Sequence, residues 1–333
     1  MEIQMEQLRK LFYLLLILPL LFVNTGCSSD DEDNPVDPPV EVNQAEVLAT
    51  ALEANNILDG FPSMIKATDV NTAILAGANI YIMDIRSATD FAAGHITGAV
   101  NVAATDVVTH YKANNLETKE TVVIACYSGQ TAAWATGLLK VAGFTNVKDL
   151  KWGMCSWNAA TSGSWMGANV NNTRATEFVT TATAKPAAGE LPTLNTGATE
   201  AAAILENRVA AVAAEGFNPA KVSSDEVFNN LSDYFIVNYW SVDHYNWGHI
   251  PGAMQYTPPA DLKLATALKT LPTDKKIAVY CYTGQTSAHV AAYLRTLGYD
   301  AKSILFGVNG MSYDSMPGTK WAATEVHDFP LVQ

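Results

Sequence analysis

Short, continuous apolar runs alternate with helix-period patterns along this chain, and the whole series occurs twice. In the first half the runs are residues 80–86 (IYIMDIR), 121–125 (TVVIA) and 147–150 (VKDL). In the second they are 234–240 (YFIVNYW), 276–280 (KIAVY) and 303–306 (SILF). Runs this short, with no polar alternation, predict strands buried on both faces, hence a parallel sheet covered by helices. A helical pattern follows the middle run of each half. It puts Trp134, Leu138 and Val141 on one face in the first copy, and Val290, Leu294 and Leu297 in the second. Gly143-Phe144 and Gly298-Tyr299 give each helix its stop signal. The expected fold class is therefore α/β: two similar domains, each a mainly parallel sheet flanked by helices, over residues 44–166 and 200–333. Between them, residues 167–199 are rich in Asn, Thr, Ala and Gly, carry Pro186 and Pro192, and predict a linker.

The first 43 residues follow other rules. Arg9 and Lys10 precede an apolar run, 11–23, that is short for a bilayer span and is followed by small residues. Residues 1–26 thus predict a cleaved export signal. Asn24-Thr25-Gly26-Cys27 resembles a bacterial lipobox, whose cysteine becomes the lipidated first residue; Asn24 stands where an aliphatic side chain is usual, and an ordinary signal peptide is the alternative. Residues 27–43 are acidic and Pro-rich, with almost nothing to bury, and predict a disordered tether. The acidic run after Cys27 resembles the export signals of surface lipoproteins. The expected location is extracytoplasmic, on a lipid anchor in the bacterial outer membrane, facing the periplasm or the cell surface.

The 333 residues carry a formal net charge of −13 and have no Lys/Arg cluster beyond the first ten positions, which argues against nucleic acid as a partner. Of four cysteines, setting aside Cys27 leaves Cys126, Cys155 and Cys281. An odd number of thiols in an oxidising compartment fits a disulfide framework poorly and fits a chemical role better.

Cys126 and Cys281 end the middle apolar run of each half and open nearly identical loops, Cys126-Tyr127-Ser128-Gly129-Gln130-Thr131 and Cys281-Tyr282-Thr283-Gly284-Gln285-Thr286. A thiol at a strand end, facing loop amides and a helix N-terminus, ionises more readily, and thiolate is the nucleophilic form. Gly129 and Gly284 let the backbone curl so that several N–H groups converge. Thr131 and Thr286, at the expected helix starts, are candidates to cap the helix or to donate a hydroxyl to the sulfur. The alternative for each cysteine is a small buried apolar residue.

Taken with Asp84-Ile-Arg86, the Gly94–Asn101 motif GHITGAVN and Gly153-Met-Cys-Ser-Trp157, plus their second-copy counterparts, these loops make the chain resemble a tandem rhodanese over most of both halves. The resemblance implies a sulfurtransferase: the loop cysteine takes sulfane sulfur from a donor, holds it as a persulfide, and passes it to a thiophilic acceptor. The implied partners are a small sulfur donor and a thiol acceptor, or a protein persulfide. No metal or organic cofactor is implied. It further implies that Asp84 and Arg86 form a charge pair beside the loop, replaced in copy two by Asn238 and Trp240, and that His95 and His249 tie down a loop. Cys126 ranks slightly ahead of Cys281, and Cys155 is a candidate resolving thiol for Cys126 or merely a buried one. Cysteine phosphatases of this fold have a loop one residue longer, closed by an arginine; both loops here lack it, and phosphoryl transfer without that cation loses its main charge stabiliser. The same lack predicts poor use of anionic thiosulfate. From a different class, a non-catalytic module that binds a partner or senses redox state is the competing reading.

Overall fold

The computed structural model describes residues 43–333, so the leader, Cys27 and almost all of the tether lie outside the described residues. The described residues form two five-stranded sheets. The first runs β1 (Met64–Ile65), β5 (Val147–Leu150), β4 (Thr121–Ala125), β2 (Ile80–Asp84), β3 (Ala99–Asn101) in spatial order. The second repeats that order with β6 (Lys221–Val222), β10 (Ala301–Ile304), β9 (Lys276–Tyr280), β7 (Tyr234–Tyr239) and β8 (Met254–Tyr256). Every pairing is parallel, as the unbroken apolar runs required. β4 and β9 are the central strands, and each delivers its cysteine just beyond its carboxyl end, where α/β sheets place their ligands. Among the described residues no helix is long and apolar enough to cross a membrane.

The helices that follow the cysteines differ from the one-faced pattern expected of them. Helix Gln130–Val141 buries ten of its twelve residues, and helix Gln285–Thr296 also ten of twelve. Each lies between its own sheet and the other helix, so the face turned away from the sheet is the interface of the two halves. The approach is close: a Cβ on Gly137 would sit 2.8 Å from the His289 Cα, a position backbone atoms cannot yield easily. One hydrophobic core runs through both halves, from Ala45 and Leu48 through Trp134 to Tyr293 and Ala301.

The connecting segments are packed, and they exchange. After the first half, Val179 forms an antiparallel bridge with His249 of the second, and Arg174 pairs with Asp225 at 2.7 Å. The C-terminal residues return the favour, with Val332 bridging His95 and the Trp157 Nε1–H donating to the Pro330 carbonyl at 2.9 Å. The segment drawn as a linker is therefore part of the second unit's wall, and the tail of the 200–333 stretch is part of the first unit's wall.

Candidate active site

In the first loop the chain leaves β4 at Cys126, turns at Gly129 in the left-handed region (φ 85°) and enters the helix at Gln130. The Cys126 sulfur, 5 % exposed, accepts the Ala132 N–H at 3.3 Å. Beneath the loop, the turn Gly153–Ser156 holds it in place: Met154 N–H donates to the Cys126 carbonyl (2.8 Å) and Cys155 N–H to the Tyr127 carbonyl (3.1 Å). A side chain at Gly153 (φ 62°) would overlap the Cys126 carbonyl oxygen, so glycine is required there. The second loop repeats this arrangement. Gly284 turns at φ 77°, while Val308 N–H and Asn309 N–H hold the Cys281 and Tyr282 carbonyls at 3.1 Å each.

The surroundings of the two sulfurs differ. Cys281, 4 % exposed, accepts the Ser287 N–H at 3.4 Å and has the Ser287 hydroxyl at 3.5 Å. Ser287 Oγ is in turn 2.7 Å from Ser303 Oγ, whose hydroxyl lies 3.1 Å from the Gly284 carbonyl. The matching positions in copy one are Ala132 and Asp149: no hydroxyl, and a carboxylate instead. Burial pushes the Cys126 thiol up to about 11, the Asp149 charge adds to the rise, and the Ala132, Gly129 and Thr131 amides only partly offset it. The thiolate expected at neutral pH is therefore not what the resting first loop holds.

Thr131 and Thr286 do not play the parts expected of them. The caps are Gly129 and Gly284, neither of which makes a side-chain cap bond, and the hydroxyls facing the second sulfur come from Ser287 and Thr283. Because each helix starts at the glutamine, the residue aimed back at the sulfur is one place later than the threonine.

Asp84 and Arg86 form a buried ion pair at 2.6 Å. The guanidinium also donates to the Gly94 carbonyl (2.7 Å) and lies over the Tyr127 ring, 5.2 Å from its centroid. Its Nε and Nη2 donors are committed to the wall, while Nη1 makes no hydrogen bond to the described residues. In copy two, Trp240 stacks on Tyr282 (4.6 Å, 19°) and Asn238 donates to the Tyr280 hydroxyl (2.8 Å), so an aromatic pair replaces the cation–aromatic one. His95 Nδ1 meets the Phe91 carbonyl, and His249 meets the Tyr245 and Thr181 carbonyls, each at 2.9–3.0 Å. Both rings brace loops. Cys155 is fully buried near Trp152 and Trp165, and its S–H donates to the Thr161 carbonyl at 3.2 Å. Burial raises its thiol as well, and all three described cysteines are free.

The two loops meet back to back. Gln130 Oε1 accepts the Phe306 N–H at 2.6 Å, and Gln285 Oε1 accepts the Trp152 N–H at 2.9 Å. Gln285 Nε2 donates to Asp149 Oδ2 at 2.6 Å, and the other Asp149 oxygen lies 2.9 Å from His289 Nε2, an ion-pair contact bent away from hydrogen-bond geometry. Both Asp149 and His289 are wholly buried.

The model of the rhodanese-like domain matches residues 67–160 and again 225–312, together more than half of the sequence. The chain belongs to the rhodanese-like domain family. Thiosulfate sulfurtransferase GlpE of Pseudomonas fluorescens is 36% identical over 76 residues, which are 23% of this chain and 68% of that protein. Thiosulfate sulfurtransferase 16 of Arabidopsis thaliana, chloroplastic, is 31% identical over 106 residues, 29% of this chain and 87% of that protein. Among solved structures, a thiosulfate sulfurtransferase from Pseudomonas aeruginosa aligns with 84% of this chain and 49% of its own, at 17% identity and a TM-score of 0.31. Each rhodanese-like unit places one free cysteine at the strand-to-helix turn, the position that both halves of the sequence singled out.

Proposed function

We propose that the protein is a sulfurtransferase that carries sulfane sulfur as a persulfide on its loop cysteines, with Cys281 the readier of the two. The observation that carries this reading is the pair of free thiols, each receiving a backbone N–H from the first turn of a helix. The thiolate attacks the sulfane sulfur of a donor R–S–S⁻, the bond to the inner sulfur breaks, and R–S⁻ leaves. The acceptor then attacks the outer sulfur of the enzyme persulfide, and the cysteine thiolate is regenerated. No net oxidation or reduction of the enzyme occurs over the cycle.

Cys281 ranks ahead because its hydroxyl chain accommodates both protonation states, the reverse of the order read from the sequence. With a thiol, S–H donates to Ser287, Ser287 to Ser303, and Ser303 to the Gly284 carbonyl; with a thiolate, Ser287 turns its proton to the sulfur. Ser287→Ala is expected to slow Cys281 alkylation near neutral pH about tenfold, as suits loss of one hydrogen bond to a charged group worth ~1.5 kcal/mol. The pH–rate profile for Cys281 should move upward in the variant. An unchanged profile would remove Ser287 from the account.

The raised thiol of Cys126, beside Asp149 and with Ala132 where the second loop has Ser287, gives the first loop a second reading, as a non-catalytic recognition surface. As to donor, the relatives are named thiosulfate sulfurtransferases, but neither loop here supplies a cation, and Arg86 turns its Nε and Nη2 edge to Asp84 and Gly94. We therefore favour a low-molecular-weight persulfide, polysulfide or protein persulfide over thiosulfate. The leader-like N-terminus and Cys27 support placing this activity outside the cytoplasm on a lipid anchor. Steady-state transfer to an acceptor, measured with glutathione persulfide and with thiosulfate, tests the reading. Turnover with the persulfide at a kcat/KM well above that with thiosulfate is expected. Equal or better use of thiosulfate overturns the donor assignment, and turnover with neither overturns the function.

A further inference from the structure

Trp152 and Phe306 occupy matching positions, one residue before the glycine of the turn beneath each cysteine loop, and both adopt the left-handed conformation (φ 66° and 60°). For a bulky aromatic residue this conformation costs about 1–2 kcal/mol, so it persists only where neighbours enforce it. What enforces it is the same in both places. The N–H of Trp152 is taken by Gln285 and the N–H of Phe306 by Gln130, each glutamine coming from the loop of the opposite half. The juxtaposition is tight in both directions, since a Cβ on Gly129 would lie 2.5 Å from Gln285 Nε2 and one on Gly284 would meet Gln130 Oε1.

From this we infer that Gln130 and Gln285 are crossed positioning residues: each sets the geometry of the other half's sulfur, Gln130 also donating to Ser128 Oγ of its own loop at 3.1 Å. The chain of contacts is short. Gln130 fixes Phe306, Phe306 leads into Gly307 and Val308, and Val308 and Asn309 hold the carbonyls of Cys281 and Tyr282. Gln285 fixes Trp152, Trp152 leads into Gly153 and Met154, and Met154 and Cys155 hold the carbonyls of Cys126 and Tyr127. Gln285 is bound further by Asp149, itself against His289, so the crossing toward the first loop is the more heavily tied of the two. A rhodanese-like half cut away from its neighbour would lack the acceptor for this amide. The two halves thereby form one functional unit in which neither loop is complete alone. The inference deepens the sulfur-carrier reading, which gives the positioned sulfurs their purpose, but its test needs no sulfur donor.

The experiment is alkylation of the intact two-domain protein with iodoacetamide, following Cys126 and Cys281 separately by peptide mass spectrometry across pH. Gln130→Met keeps the side chain's length and removes its acceptor. It is expected to move the pH–rate profile of Cys281 upward and lower its rate near pH 7 about tenfold, equivalent to ~1.4 kcal/mol, with Cys126 changed by less than about threefold. That size lies within the range for an orphaned buried N–H. Gln130→Glu, which keeps an acceptor oxygen toward Phe306, should restore most of the Cys281 rate. Gln285→Met should instead alter the Cys126 profile and leave Cys281 within about threefold. Gln285→Glu should not rescue, because its second oxygen would face the Asp149 carboxylate. A merely structural glutamine would lower the melting temperature and leave both profiles in place. Effects confined to each variant's own loop, or equal at both cysteines, or absent, would overturn the crossed assignment. Should Gln130→Met fail to fold, the Gln130→Glu profile and hydrogen exchange at Val308 and Asn309 still decide it, normal protection there being expected for the glutamate variant and general loss contradicting the inference. Because alkylation reads the thiols directly, a protein that never transfers sulfur can still pass or fail this test.

Discussion

Replacement of Cys281 by serine is expected to lower sulfur transfer by on the order of a thousandfold or more, the scale on which enzymes lose rate when the covalent nucleophile is removed. A serine at this place keeps the Ser287 N–H contact, but its hydroxyl is far less acidic than a thiol and does not store sulfane sulfur. The Cys126→Ser variant should retain most of the steady-state rate, because the first thiol is raised beside the Asp149 charge and Ala132 stands where Ser287 faces the second sulfur. Alkaline conditions should narrow the gap. The Cys126 contribution is expected to rise as pH increases toward about 11, the region to which burial and the Asp149 charge move its thiol. Measurement of transfer rates for both single variants between pH 7 and 10 (a window chosen on the ordinary thiol range) checks all of this. Equal losses from the two variants at neutral pH would contradict the ranking.

The second large effect concerns stability. His289→Ala should destabilise the protein by about 3–5 kcal/mol, the scale for leaving a buried carboxylate without its partner. Asp149 sits on β5 of the first half and His289 on the helix of the second, both without exposure, and the other His289 nitrogen is engaged by the Gln285 carbonyl at 2.9 Å. Both ring nitrogens therefore face acceptor oxygens, one from each half. Without the ring, Asp149 faces a cavity beside Gln285, and the joint between the halves opens. Equilibrium denaturation with urea should show the loss, with cleavage by a protease near the junction rising alongside. A change below about 1 kcal/mol would mean that the pair is not holding the halves together.

The sequence revealed the parts of this molecule that depend on short-range pattern. Buried parallel strands leave unbroken apolar runs, so β4 and β9 and the cysteines at their ends were legible, as was the glycine three residues on that lets the loop curl. Asp84 and Arg86 were legible as a pair only through the family resemblance, and the structure shows them bonded at one strand end. Contacts between the halves left no such trace. Asp149 and Gln285 are separated by 136 residues, and nothing in a VKDL run says that its aspartate meets a histidine from the other copy. The helix faces were half read for the same reason: Leu138 and Leu294 were placed inward, while nothing in the pattern showed that the opposite face is covered by the neighbouring helix. The threonines were misassigned by a single residue. A helix that begins at the glutamine turns Ser287, not Thr286, toward the sulfur, and its register depends on the backbone angle at Gly284 rather than on any pattern in the letters. One visible clue went unused, the glutamine present in both loops without a role in either cysteine's own chemistry.

The account stands or falls on sulfur residing on the loop cysteines. Peptide mass spectrometry of the intact protein, after brief exposure to glutathione persulfide at neutral pH and trapping with an alkylating agent, reads this directly. One additional sulfur on the peptide containing Cys281 is expected first, with slower and smaller addition on the Cys126 peptide and none on that of Cys155. A protein in which neither loop peptide gains sulfur, while both thiols remain reduced and the fold intact, would contradict it.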